Sequence, residues 1–193
     1  TKFDQTVEVI FKLGIDAKHA DQSVRSAVTL PHGIGKAKRV IAFCPEHLKV
    51  AALNAGAIKA GGQELVAEIE KDNFTEFDVA VATPDQMRFV SRLGRVLGPK
   101  GLMPSPKAGT VTPDIGTAVR EYAAGKTEFR NDSGGNVHTI VGKMSFGNEK
   151  LIENITAMIE TIRKLKPQTA KGTYIQRVVL KGSMTPAVYL AVQ

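Results

Sequence analysis

The chain has 193 residues, 42% of them apolar and 23% charged, which suits one large domain or two small ones with mass enough for a buried core. A formal net charge of +7 concerns partners rather than fold, and nucleic acid is the first partner to consider. A single cysteine, Cys44, excludes an internal disulfide and argues for a reducing compartment, and no apolar run is long enough for a membrane span.

Position 1 is Thr and no signal-like segment follows it, so the sequence reads as a fragment lacking its true N-terminus. Thr6 to Leu13 alternates, with Val7, Val9, Phe11 and Leu13 on one side and Thr6, Glu8 and Lys12 on the other. Period two predicts a half-buried strand with one free face, and Ile10 is the exception on that face. Asp16 to Ser26 is polar and weakly patterned. Val28 to Leu30 predicts a short strand stopped by Pro31, and His32-Gly33-Ile34-Gly35 a turn or hinge.

The middle of the chain differs in kind. Arg39 to Cys44 is a continuous apolar run with β-branched residues, as expected of a strand covered on both faces. Glu46 to Ala60 predicts a helix ending at Gly61-Gly62, and Glu64 to Lys71 a second, shorter one. Phe77 to Ala82 predicts another buried strand. Thr83-Pro84-Asp85 opens a further helix with an N-cap residue and proline in its first turn, and Thr112-Pro113-Asp114 repeats the signal for Ile115 to Ala124. Strands alternating with helices mark a parallel, doubly wound sheet. Between the last two helices runs GRVLGPKGLMPSPKAGTVT, Gly94 to Thr112, too rich in glycine and proline for regular structure past Gly98. Its apolar Leu97, Leu102, Met103 and Val111 predict an ordered loop. From Arg88 to Lys107 the chain carries Arg88, Arg92, Arg95, Lys100 and Lys107 and no acid.

Past Gly125 the alternation of strand and helix stops. Thr127 to Arg130 and Val137 to Val141 predict strands around Asn131-Asp132-Ser133-Gly134-Gly135, a hairpin-turn signal. Asn148 to Leu165 is the clearest helix, with Leu151, Ile152, Ile155, Met158, Ile159, Ile162 and Leu165 as its apolar stripe and Pro167 beyond its end. Tyr174 to Leu180 and Ala187 to Val192 predict two strands around Gly182 to Pro186. The expected fold class is therefore mixed. A discontinuous α+β domain with an antiparallel sheet (residues 1–33 and 127–193) carries an inserted, Rossmann-like three-layer α/β domain (34–126). The segments carry net charges of zero, +3 and +4 in chain order. A nucleic-acid site must therefore be a shaped patch.

Catalytic signatures are missing. Gly33-Ile34-Gly35-Lys36 precedes a strand instead of following one, and neither GxGxxG nor GxxxxGK followed by Ser or Thr occurs. His19, His32, His47 and His138 lack metal-ligand spacing, and no GxSxG or Cys/His arrangement exists. The sequence predicts a binding protein with no cofactor, no metal and no enzymatic activity.

The Gly94–Thr112 loop closely resembles the signature of the family of large-subunit ribosomal protein one, the bacterial-type stalk protein. KFDQTVEV, LGIDAKHADQSVR, LPHGIGK, ATPDQM, EFRNDSGG, VHTIVGK and KPQTAKGTYI agree, so the resemblance runs end to end. The family's helical N-terminal segment has no counterpart here. The resemblance implies two hinged domains and a structural role in the large ribosomal subunit. The implied partners are large-subunit rRNA at the base of the mobile stalk, exit-site tRNA and the protein's own operon mRNA, whose translation it represses. It implies a monomer within cytoplasmic, or organellar, ribosomes. By position it also implies an RNA site at Lys2, Phe3, Thr6, Glu8, Asp132, Arg177, Ser183, Met184 and Thr185. In physical terms Phe3 offers a surface to a base or sugar, and Lys2 and Arg177 pair with phosphates. Glu8 and Asp132 accept hydrogen bonds from 2′-hydroxyls. The family's last turn ordinarily reads Thr-Met-Gly, whereas this chain has Ser183-Met184-Thr185, which adds a side chain where RNA is expected to come close. The five cations Arg88, Arg92, Arg95, Lys100 and Lys107 are the expected second surface toward RNA or tRNA.

Overall fold

The computed structural model describes residues 2–191 except Ala20 and Asn73. The strands are β1 (Thr6–Leu13), β2 (Arg25–Val28), β3 (Val40–Phe43), β4 (Lys59–Gly61), β5 (Val79–Ala82), β6 (Thr127–Arg130), β7 (Asn136–Lys143), β8 (Ile175–Gly182) and β9 (Val188–Leu190). The helices are α1 (Glu46–Asn54), α2 (Gln63–Asp72), α3 (Met87–Val90), α4 (Gly94–Leu97), α5 (Ile115–Ala123) and α6 (Asn148–Lys164). Val192, where the sequence placed the end of the last strand, lies outside the described residues. The backbone divides into two compact units, Thr1–Lys36 with Lys126–Gln193, and Ala37–Gly125.

The discontinuous unit is built on β1. Its odd-numbered residues Val7, Val9, Phe11 and Leu13 are all buried, while its even-numbered ones are half-exposed. It lies inside a four-stranded antiparallel sheet of order β7-β1-β8-β9, with Lys12 opposite both Asn136 and Arg177 and Thr6 opposite Lys143. Helix α6 packs below, sending Met158 and Ile162 into the core with Leu151, Ile155 and Ile159 at its margin. Ile152 departs from the expected stripe and is 61% exposed. It lies about 100° around the helix from the line of Met158 and Ile162, at the edge of the stripe, where the side chain meets water.

The second short strand starts earlier than its apolar residues suggest. It is Arg25–Val28, antiparallel to β6, and Leu30 is buried outside it. The Asn131 carboxamide accepts from Val24 N at 2.8 Å, and Arg25 Nη2 meets Glu128 Oε1 at 2.6 Å, which sets this register. The hairpin expected at 127–141 keeps its turn but not its ladder. β6 pairs with β2, β7 pairs with β1, and only Asn131 and Val137 bridge them.

The contiguous unit has a three-stranded parallel sheet of order β4-β3-β5. All four residues of β3 are buried. Val40 and Ala42 face α1 and α5 through Ala52, Ile115, Val119 and Tyr122. Ile41 and Phe43 face the opposite layer of Leu65, Ile69, Val90, Leu93 and Leu97. This makes three layers and explains a strand without alternation. The helix expected to reach Ala60 stops at Asn54. Gly56 takes φ +105°, Ile58 N donates to Val40 O at 2.8 Å, and Lys59–Gly61 runs beside β3. Alanine content suggested helix there, but the small side chain of Ala60 serves a tight, buried edge instead.

Thr83 does not cap by its side chain. Its carbonyl accepts from Gln86 N, and the following helix breaks into short turns as far as Leu97. Asp114 caps α5 instead of Thr112, accepting from Thr117 N at 3.1 Å. The Gly/Pro loop is tied down at several points. Tyr122 Oη donates to Ala108 O at 2.6 Å, Thr110 O accepts from Ala82 N, and Thr112 N donates to Ala82 O.

Asn154 is the fully buried polar residue of α6. Its carboxamide accepts from His32 N at 3.1 Å and donates to Gly33 O at 3.0 Å and Val141 O at 2.8 Å. It thus ties the segment after Leu30 to β7. Asn154→Ala leaves these backbone groups unpaired and should destabilise the protein by about 2–4 kcal/mol, read as a lower urea midpoint at constant m.

Candidate nucleic-acid interface

Burial of the odd side of β1 forces Thr6, Glu8, Ile10 and Lys12 onto the outer face of the sheet. Registration adds Lys181 beside Glu8 and Arg177 beside Lys12 from β8, with His138 beside Ile10 from β7. Lys12, Lys143, Arg177 and Lys181 on these strands outweigh Glu8. Lys143 Nζ donates to Thr6 Oγ1 at 2.9 Å, and the Lys12 amine donates to Gly134 O.

Lys2, Phe3, Thr6, Ser183, Met184 and Thr185 gather at one end of this sheet. The turn after β8 is laced to the start of β1. Ser183 N donates to Thr6 O at 3.1 Å, and Met184 N donates to the side-chain oxygen of buried Gln5 at 2.9 Å. The Gln5 carbonyl in turn accepts from Met144 N, and the Asp4 carboxylate accepts from Ser145 N and Oγ. These bonds present Phe3 at 56% and Met184 at 72% exposure. At that exposure Phe3 is no part of the core. Thr185, where the resemblance leads one to expect glycine, has a structural occupation. Its hydroxyl accepts from Gly182 N at 2.8 Å and its own amide donates to Gly182 O at 3.2 Å, folding the side chain into the turn.

Glu8 lies two residues further along, and Arg177 and Asp132 belong to the opposite end of the sheet, about 20 Å from Thr6 at the rise of a strand. Asp132 organises its turn, accepting from Gly134 N at 2.8 Å, Asn136 N at 2.7 Å and the Asn136 side chain. Sequence reasoning missed what surrounds it. Arg25 and Arg130 stand directly opposite across β2 and β6, beside a concavity of about 740 Å³ that Ser23, Asn131 and His138 also line. The juxtaposition depends on a pairing that no local pattern announces. Like charges opposed across a ladder are unfavourable, and the Glu128 carboxylate on Arg25 offsets that here.

In the contiguous unit Arg88, Arg92, Arg95, Lys100 and Lys107 are all exposed. The Lys100 amine donates to Thr75 Oγ1 at 2.6 Å. Gly94 sits among them in ordinary helical conformation, and a Cβ built on it meets nothing within 4 Å. Among the described residues no group of His, Cys, Asp or Glu gathers to hold a metal ion. No helix of the described residues is long and apolar enough to cross a membrane.

A discontinuous α+β unit with one open, cation-bearing sheet face, interrupted by a three-layer α/β unit, defines a two-unit binding protein. The chain belongs to the ribosomal protein L1p/L10e family, whose sequence model matches residues 1–186. It is 50% identical over 191 residues to the large ribosomal subunit protein uL1 of Persephonella marina, covering 99% of this chain and 79% of that protein. It is 54% identical over 191 residues to uL1 of Kitasatospora aureofaciens, covering 98% and 79%, and 51% identical over 187 residues to uL1 of Nitratidesulfovibrio vulgaris, covering 97% and 79%. Membership of this family makes the chain a structural constituent of cytoplasmic ribosomes and not an enzyme.

The Asn136 side chain, followed by the Asn136 and Gly134 amides, holds the Asp132 carboxyl below its ordinary value of 3.8. A depressed folded-state pKa contributes stability above the unfolded value and loses it as pH falls through the folded one. The acid limb of the stability curve, followed by urea unfolding below about pH 4, should therefore be shallower in Asp132→Asn than in wild type.

Proposed function

We propose that this chain binds large-subunit rRNA at the base of the mobile stalk through the β1 end of its four-stranded sheet. The observation that carries the reading is the laced turn, which holds Phe3 and Met184 exposed beside Thr6 and Ser183. Exposed apolar groups fixed by backbone bonds, next to hydroxyls and amides, suit sugar edges and unstacked bases of a folded RNA. Lys2 and Arg177 supply the salt-dependent contact with phosphates, and Glu8 accepts from 2′-hydroxyls. The same surface serves a similarly folded segment of the protein's own operon mRNA, and that is how translational repression arises. One RNA site cannot hold both at once.

A second surface, Arg88, Arg92, Arg95, Lys100 and Lys107, assists release of deacylated tRNA from the exit site. Gly94 favours this reading. Glycine in a helix costs about 1 kcal/mol relative to alanine, and neither φ nor internal crowding demands it there. A bare backbone among exposed arginines suits close approach by a polyanion.

Binding to a stalk-base transcript and to a scrambled RNA at two salt concentrations tests the first site. Phe3→Ala and Met184→Ala should each weaken transcript binding about tenfold and leave scrambled-RNA binding unchanged. Equal, purely salt-driven affinity for both RNAs refutes the reading. The triple change Arg92→Ala, Arg95→Ala, Lys100→Ala should slow stalk-dependent tRNA release while transcript affinity stays at the wild-type value. Unaltered release rules out the second surface.

A further inference from the structure

The outer sheet face carries a feature that the laced turn does not use. Edge strand β9 places Tyr189 opposite Val179, Val179 lies opposite Ile10, and Ile10 opposite His138, so these four share one row. Ile10, the residue that broke the alternation of β1, thereby joins an apolar floor with Val179. Tyr189 is 66% exposed, and the Arg177 guanidinium lies 5.4 Å from its ring centroid. A hollow of about 380 Å³ lined by Ile10, Lys12, Asn136, Arg177 and Val179 adjoins this row.

We propose that Tyr189 is a stacking platform for one unpaired nucleobase of a bound RNA, with Arg177 over the ring as its cationic wall. The inference rests on the reading that this sheet binds RNA, and it extends the footprint about 10–20 Å from the Met184 turn toward the Asp132 end. Three physical facts converge. An aromatic ring on the open face of a four-stranded antiparallel sheet offers a base a flat partner at little entropic cost. The surrounding Lys12, Arg177 and Lys181, against Glu8 alone, complement a polyanion and disfavour a basic or purely apolar partner. The apolar floor of Ile10 and Val179 leaves room for a ring beside Tyr189, and Asn136 at its rim, whose side-chain amine is engaged by Asp132, offers its carbonyl oxygen as an acceptor to a base edge.

The chain contains three tyrosines and no tryptophan. Tyr122 and Tyr174 are buried, so changes in tyrosine emission on adding RNA report chiefly on Tyr189. The probes are single-stranded oligoadenylate, a fully paired RNA duplex of the same length, and the stalk-base transcript. Oligoadenylate should quench the emission and the duplex should not. Tyr189→Ala should weaken oligoadenylate and transcript binding about tenfold with the salt slope unchanged, and Tyr189→Phe should restore it. Arg177→Ala should lower the slope by about one. Thermal melting checks that Tyr189→Ala, an exposed edge change, remains folded. Wild-type affinity in Tyr189→Ala, or equal quenching by the duplex, overturns the platform. If Met184→Ala still abolishes transcript binding in that case, the ribosomal RNA reading survives it. A transcript that fails to bind wild type removes both.

Discussion

Burial of Val7, Val9, Phe11 and Leu13 beneath an interior strand determines what the discontinuous unit shows to solvent. With a side-chain period of two, fixing one face of β1 fixes the other, and a one-residue slip would exchange them. The outer row is therefore not a free choice of surface residues. It is the complement of the core, carried across the sheet by the pairing of β1 with β7 and β8. The candidate RNA contacts on β1 and β8 are positioned by that constraint, and Ser183 to Thr185 by the turn that closes the end of the sheet.

The turn after β8 illustrates how far the constraint reaches. Gln5 is the last residue before β1 and is buried, yet its side chain serves the amide of Met184 and its carbonyl serves Met144. One residue thus joins the ends of three strands. Thr185 completes the arrangement by turning its hydroxyl inward, so a residue that looked like an obstruction to a ligand is part of the scaffold.

Much of this was legible in the sequence. β1 was readable residue for residue because only one face is covered, and β3 was readable because both are. The stripe of α6 was readable apart from Ile152, whose spacing fits the stripe but which lies at its water-facing edge. What escaped were features set by distant partners. Ala60 looks helical until β3 supplies a ladder for it. The β6–β7 segment looks like a hairpin until β2 and β1 take its two strands apart. Arg25 and Arg130 become neighbours only through the β2–β6 register. Motifs located Phe3 and Met184, but their exposure came from the hydrogen bonds around Gln5, which no local pattern encodes.

The interior position of β1 also bears on how the protein emerges from its own synthesis. Both neighbours of this strand, β7 and β8, lie beyond the contiguous unit in the chain. Val7, Val9, Phe11 and Leu13 are made early and stay without their sheet until residues past Gly182 have followed. The contiguous unit, whose three strands and covering helices fall between Ala37 and Gly125, meets all its partners first. Pairings of such long sequence separation are slow to form and leave apolar strands uncovered meanwhile. The earliest segment of the described chain is thus the last to be sheltered, and its protection falls to whatever attends the nascent polypeptide.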